Sequence, residues 1–103
     1  MSTQYALHEI DSEQSIKHIF TTLNEINLFD CTSLRLLLNK FTKVIARDYD
    51  ILDHQILNNI SLIEINIQFC VNNKESIECA LFWEKAIKEF KVALEIVSKK
   101  ITA

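Results

Sequence analysis

Residues 80–101, ALFWEKAIKEFKVALEIVSKKI, decide the fold of this 103-residue chain. Apolar residues recur along the segment at alternating spacings of four and three: Trp83, Ile87, Phe90, Leu94, Val97 and Ile101. At 3.6 residues per turn these six residues share one face of a helix. The other side carries glutamate and lysine four residues apart, as at Glu84 and Lys88 and again at Glu95 and Lys99. The pattern predicts a long amphipathic helix over residues 74–100.

Three more helices are predicted upstream, over residues 12–26, 32–47 and 51–71, each from apolar residues spaced three and four apart. We expect Asp30, Thr32 or Ser33 to open the second helix and Asp50 to cap the third, because short polar side chains accept hydrogen bonds from free N–H groups at helix starts. Asn24 and Asn27 are the expected stop of the first helix, since asparagine follows glycine in tolerating left-handed backbone.

Residues 63–69, IEINIQF, fit two periods. Isoleucine and phenylalanine alternate with polar residues as in a half-buried strand, yet Ile56, Ile60, Ile63, Ile67 and Cys70 also fit a helical seam. A lone strand would leave its backbone groups unpaired, and no second strand candidate exists, so we predict helix. The second and third helices could alternatively run on as one rod, which would need a dimer to cover it.

The chain contains no glycine and no proline. Glycine-rich phosphate loops and dinucleotide-binding fingerprints are therefore excluded, and sandwiches or barrels with many tight turns are disfavoured. Short connections between helices favour antiparallel neighbours. The predicted fold is all-α, an antiparallel up-and-down four-helix bundle, forming a single domain over residues 12–103 after an N-terminal extension of residues 1–11.

Charge and cysteine usage limit the partners. The 11 basic and 14 acidic residues give a net charge of −3, which disfavours binding to nucleic acid. No apolar run approaches the roughly 18 residues of a membrane span, and residues 1–10 lack the features of a secretion signal. Cys31, Cys70 and Cys79 form an odd set without a C-x-x-C pair. We expect a cytoplasmic protein with reduced thiols and no membrane association.

Metal and nucleophile chemistry are weakly represented. The paired Glu-x-x-His motifs of di-iron bundles are missing, and His8, His18 and His54 lie far apart. The cysteines are expected to be small buried hydrophobes, with Cys31 at a helix start the best placed for reactivity. We predict no metal site and no cofactor.

Residues 47–54, RDYDILDH, hold an arginine and a histidine separated by six residues. This spacing resembles the signature of HEPN helical ribonucleases and antitoxin-partner domains, which implies action on RNA across a dimer. Arg47 would hold the phosphate and His54 would take the proton of a 2′-hydroxyl. The neighbouring aspartates would repel a phosphate, and helix capping accounts for the same residues. A ribonuclease or its inactive relative is therefore the alternative, and we predict no catalytic residues.

The apolar content exceeds what a simple bundle needs. The third helix carries a second apolar cluster opposite its seam, and the fourth carries apolar residues behind its seam. The predicted partner-binding residues are Ile65, Phe69, Phe82 and Ile96. The predicted function is non-catalytic protein binding, as an immunity protein or antitoxin that blocks a partner such as a basic toxin, because opposite charges speed association. A homodimeric adaptor or chaperone is the other alternative.

Overall fold

Four α-helices make up most of the structure, a computed structural model that describes residues 12–47 and 53–102. They are α1 (Ser12–Glu25), α2 (Cys31–Arg47), α3 (His54–Asn72) and α4 (Glu78–Thr102). Over these two ranges the chain forms no β-strand, and residues 63–69 lie within α3. The helical period of that segment is therefore the correct one. The predicted extension of residues 1–11 lies outside the described residues.

The helices are antiparallel neighbours. Arg47 at the end of α2 donates to Ser15 near the start of α1, with Nη2 and Oγ 3.5 Å apart. Arg35 near the start of α2 donates to Gln68 near the end of α3 at 2.6 Å. The most extensive packing joins α3 and α4, and α1 packs on α4 to close the bundle. The prediction of a four-helix bundle is confirmed, and the alternative of one continuous rod is wrong because α2 and α3 pack side by side.

One apolar core runs through the bundle, which measures 51 × 27 × 17 Å. At its centre the rings of Phe41 on α2 and Phe90 on α4 lie 5.4 Å apart, which joins two helices that are not sequence neighbours. All four helices contribute further buried side chains: Ile16, Ile19, Leu23, Leu34, Leu38, Ile45, Ile56, Ile63, Ile67, Trp83, Ala86, Leu94 and Val97. Removing this apolar surface from water is the main contribution to stability.

An aspartate caps each of the two middle helices. The Asp30 carboxylate accepts from the Ser33 backbone N–H at 3.1 Å and from the Ser33 hydroxyl at 2.7 Å. Asp53 accepts from the N–H groups of Gln55 and Ile56, so α3 begins at His54 rather than at residue 51. Asp53 therefore fills the capping role predicted for Asp50, which lies outside the described residues.

The connection before α4 is longer than predicted. Asn73 ends α3, where its backbone N–H donates to the carbonyls of Phe69 and Cys70 and its side chain donates to Phe69. Ser76 then accepts from the N–H of Glu78, so α4 starts at Glu78 rather than at residue 74. This connection places the end of α3 beside the start of α4.

The turn between α1 and α2 contains the one positive φ among the described residues. Phe29 has φ of 65°, whereas Asn24 and Asn27 were the expected positions for such a conformation. The Phe29 ring meets Trp83 of α4 edge to face, with centroids 5.9 Å apart and planes at 67°. An aromatic contact across the bundle therefore accompanies the left-handed backbone at this position.

Candidate partner-binding surface

The outer side of α3 carries a stripe of large apolar residues. Leu62, Ile65 and Phe69 are all exposed, and at about 100° per residue they fall within one 60° sector of the helix. The seam of Ile56, Ile60, Ile63 and Ile67 on the opposite side is buried. The helix is therefore apolar on two faces, of which the bundle covers one.

α4 extends this apolar surface through an aromatic contact. The ring of Phe82, which is half-buried, lies 5.0 Å from the ring of Phe69, with the two planes tilted by 37°. Offset ring pairs of this kind stabilise each other beyond their buried area. Phe69 and Phe82 thus hold each other in place at the outer edge of the seam between α3 and α4.

Two further apolar side chains lie at the same end of the bundle. Ile77, just before α4, is 91% exposed, and Leu81 in the first turns of α4 is also largely in solvent. We refer to these residues together as the α3–α4 patch: Leu62, Ile65, Phe69, Ile77, Leu81 and Phe82. These apolar side chains lie on α3, on α4 and in the connection between them, and together they are a candidate binding surface.

The structure separates the four predicted binding residues. Ile65, Phe69 and Phe82 lie in or beside the patch, but Ile96 is fourteen residues after Phe82, which is roughly 21 Å along the helix axis. Ile96, like Phe82, is partly buried and packs against the core, but it has no exposed neighbour of the patch beside it along α4. Ile77 and Leu81 were not among the predicted residues, because neither belongs to the periodic pattern from which that set was chosen.

A polar groove borders the patch. It lies between α2 and α3, encloses about 540 Å³, and is lined by Arg35, Leu38, Asn39, Ser61, Glu64, Ile65 and Gln68. Arg35 reaches across it and donates to the side-chain amide oxygen Oε1 of Gln68, and the Gln68 Nε2 donates in turn to Asn72 Oδ1 at 3.0 Å. Ile65 therefore stands where an apolar surface meets a row of hydrogen-bonding groups, which is the usual layout of a protein interface.

The ribonuclease candidates lie on different helices. Arg47 is the last residue of α2 and donates to Ser15 of α1, whereas His54 is the first residue of α3 and is exposed. Asp53, next to His54, binds Lys100 of α4 through Oδ2 and Nζ at 3.0 Å. Arg47 and His54 thus do not share the face of one continuous helix, and each neighbours a group with a structural role.

The three cysteines converge inside the same end of the bundle as the patch. Cys31 opens α2, Cys70 lies in the last turn of α3 and Cys79 lies in the first turn of α4, and all three are buried as predicted. The Sγ atoms of Cys70 and Cys79 are 2.9 Å apart. Burial, chiefly, together with the thiols of Cys79 and Cys31, raises the pKa of Cys70 far above its ordinary value.

Their convergence was not predicted from the sequence. In an antiparallel bundle the start of α2, the end of α3 and the start of α4 all lie at one end, so the topology contained the signal. No group of three metal-ligating side chains suited to an ion occurs within residues 12–47 and 53–102.

Comparison of the chain with protein-family models, with curated proteins and with solved structures found no match. In the part of the chain that the structure describes, none of the helices combines the length and the apolar character needed to cross a bilayer.

Proposed function

We propose that this protein is a non-catalytic binding module that holds another protein against its α3–α4 patch. The observation that carries the proposal is the exposed ring of Phe69, which rests on the partly buried ring of Phe82, with Ile65 exposed on the same outer side of α3. Aromatic side chains held in place by a neighbour lose little conformational freedom on binding, which makes them common interface anchors.

The size of the patch sets what the partner must supply. Phe69 is 44% exposed, so covering it completely would contribute about 1 kcal/mol, and the other patch residues contribute comparable amounts. Association itself costs roughly 4–15 kcal/mol. The interface therefore extends beyond the patch. In the groove beside Ile65, Arg35, Ser61 and Glu64 can form hydrogen bonds at the polar rim of that interface.

We infer a partner that is basic around an apolar centre. The net charge of −3 favours encounter with a positively charged protein and speeds association. An immunity protein or antitoxin that covers the active surface of a basic toxin in the cytoplasm fits this description. Such a role uses shape and charge alone and needs neither a cofactor nor a catalytic residue.

The test compares the same substitution on two faces of one helix. Phe69→Glu places a charge in the patch, and Leu57→Glu places one about 120° around α3, at a residue that is 45% exposed against 44% for Phe69. Wild type and both variants serve as baits in the native host, and captured proteins are quantified by mass spectrometry. We expect a basic protein that wild type and Leu57→Glu retain and Phe69→Glu loses, because a buried unpaired carboxylate is costly.

Folding and self-association are measured on the same samples. Circular dichroism and thermal melts should show both variants to be as helical as wild type. Leu57→Glu should melt close to wild type and Phe69→Glu several degrees lower, because only Phe69→Glu loses the ring contact with Phe82. Light scattering after size exclusion separates the alternatives. If wild type is a dimer and Phe69→Glu is a monomer, the partner at the patch is a second copy of this chain and not a toxin. Equal capture of the same proteins by all three baits would contradict the proposal.

A further inference from the structure

The Sγ atoms of Cys70 and Cys79 are in direct contact. Their Sγ atoms, 2.9 Å apart, are about 0.9 Å from the separation of roughly 2.0 Å found in a disulfide. The Cys79 thiol also approaches the Cys70 backbone carbonyl oxygen at 3.5 Å, so it contacts both the side chain and the backbone of Cys70. We propose that Cys70 and Cys79 form an intramolecular disulfide when the protein meets a low-molecular-weight disulfide oxidant, leaving Cys31 as a free thiol.

The reaction is two successive thiol–disulfide exchanges. Cys79 keeps a small exposed surface, whereas Cys70 is wholly buried, so Cys79 meets the oxidant RSSR first. Its sulfur bonds to one sulfur of RSSR, the S–S bond of the oxidant breaks, and the first RSH leaves with the Cys79 proton. The Cys70 sulfur, as its thiolate, then attacks the Cys79 sulfur and displaces the second RS group, which leaves as RSH with the Cys70 proton; because burial raises the pKa of Cys70, this second exchange is the slow step. The two cysteines lose two hydrogen atoms, and RSSR is reduced to two RSH.

The position of the pair connects its oxidation state to the patch. Cys70 follows Phe69 in sequence, and Cys79 lies one helical turn before Phe82. A bond between the two sulfurs would tie the end of α3 to the start of α4 directly beneath the aromatic pair. It would also close the connection of residues 71–78, whose ends are otherwise held by the caps at Asn73 and Ser76.

Trypsin separates the three cysteines completely. Cleavage after lysine and arginine places Cys31 in residues 18–35, Cys70 in residues 48–74 and Cys79 in residues 75–85. The reduced, folded protein is incubated with mixtures of oxidised and reduced glutathione, remaining thiols are alkylated, and the digest is analysed by mass spectrometry without reduction. We expect the peptide of residues 48–74 joined to that of residues 75–85, with Cys31 alkylated.

A second measurement tests whether the fold, and not only the short sequence separation, brings the thiols of Cys70 and Cys79 together. The glutathione ratio at half-oxidation gives the effective concentration of the two thiols, and it is measured in buffer and in urea. In the folded protein the effective concentration should be at least about tenfold higher than in the unfolded chain, because the bundle holds the sulfurs in contact. Cys31→Ala should give the same value as wild type, and Cys79→Ala should form no intramolecular bond at the glutathione ratio that half-oxidises wild type.

Four results would overturn the proposal: a dominant bond to Cys31, disulfide-linked dimers only, resistance of the folded protein to oxidation, or equal effective concentrations in buffer and urea. The wild-type peptide map does not depend on any variant folding. It also does not depend on partner binding, so the disulfide and the proposed function can fail separately.

Discussion

At the scale of single residues, Phe29 is the position where local and tertiary preferences conflict. Its φ of 65° brings the Cβ atom close to its own backbone, at a cost of roughly 1–2 kcal/mol for an L-residue. Asparagine or glycine would adopt this conformation at lower cost. The contact of its ring with Trp83 explains why a large aromatic residue occupies the position. The helix-stop rule that favours Asn24 and Asn27 considers only local sequence, so it does not include this contact.

This conflict predicts that glycine at position 29 is more stabilising than alanine, the reverse of the usual order of these two residues. Both Phe29→Gly and Phe29→Ala lose the ring contact, but only alanine keeps the strained Cβ. We expect Phe29→Gly to be the more stable variant, by about 1 kcal/mol in urea unfolding.

Leu28 is the matched control, since it is 70% exposed and has negative φ, so alanine there should be the better replacement. Alanine at position 29 more stable than glycine would show that Phe29 carries no backbone strain.

At the scale of helices, apolar periodicity locates the elements and tertiary contacts set their ends. The four helices were predictable because each must turn one apolar face to the core. The start of α3 was not, since Asp50 and Asp53 are equally good caps by local rules. Lys100 near the end of α4 binds Asp53 at 3.0 Å. Because Lys100 is 47 residues away in sequence, the residues around Asp53 do not indicate this contact.

The same ion pair predicts a pH dependence of stability. The hydrogen bond from Lys100, followed by that from the Gln55 N–H, holds the pKa of Asp53 below its ordinary value of 3.8. Because the folded-state pKa is the lower one, the carboxylate stabilises the fold above pH 3.8 and loses that effect as the pH falls through the folded-state pKa.

Asp53→Asn keeps the capping oxygen and removes the charge, so it should melt below wild type at neutral pH and converge with it in strong acid. Thermal melts across this range test the expectation, and Lys100→Gln should reproduce the neutral-pH loss. A difference between wild type and Asp53→Asn that stays constant with pH would show that the ion pair contributes nothing.

At the scale of the whole molecule, stability depends on one thin core. The described backbone extends 17 Å along its shortest principal axis, and the contact of Phe41 with Phe90 joins α2 to α4. The apolar spacing along residues 80–101 predicts that Phe90 faces the core, as it does. The pattern does not tell whether the second apolar face of α3 is core or interface, because a central helix and an interface helix are both apolar on two sides. In the structure Ile65 and Phe69 on that face are exposed, whereas Ile96 of α4 packs against the core.

Phe90→Ala should therefore come close to unfolding the protein. The cavity costs about 3–5 kcal/mol, against a total stability of roughly 5–15 kcal/mol for a single domain. We expect the midpoint of thermal unfolding to fall by at least about 12 °C. Leu36→Ala on the outer side of α2, where the side chain is 59% exposed, should change it by no more than a few degrees. Similar losses in the two variants would place Phe90 outside the core.

The pairing of α1 with α4 has a consequence for the order in which the protein is made. α1 needs two neighbours, α2 and α4, to cover Ile16, Ile19 and Leu23. On the ribosome α2 emerges directly after α1, but α4 follows all the other helices. The nascent chain therefore passes through a stage in which three helices are present and the apolar face of α1 is only half covered. During that interval, chaperones that hold exposed apolar segments have their best opportunity to bind.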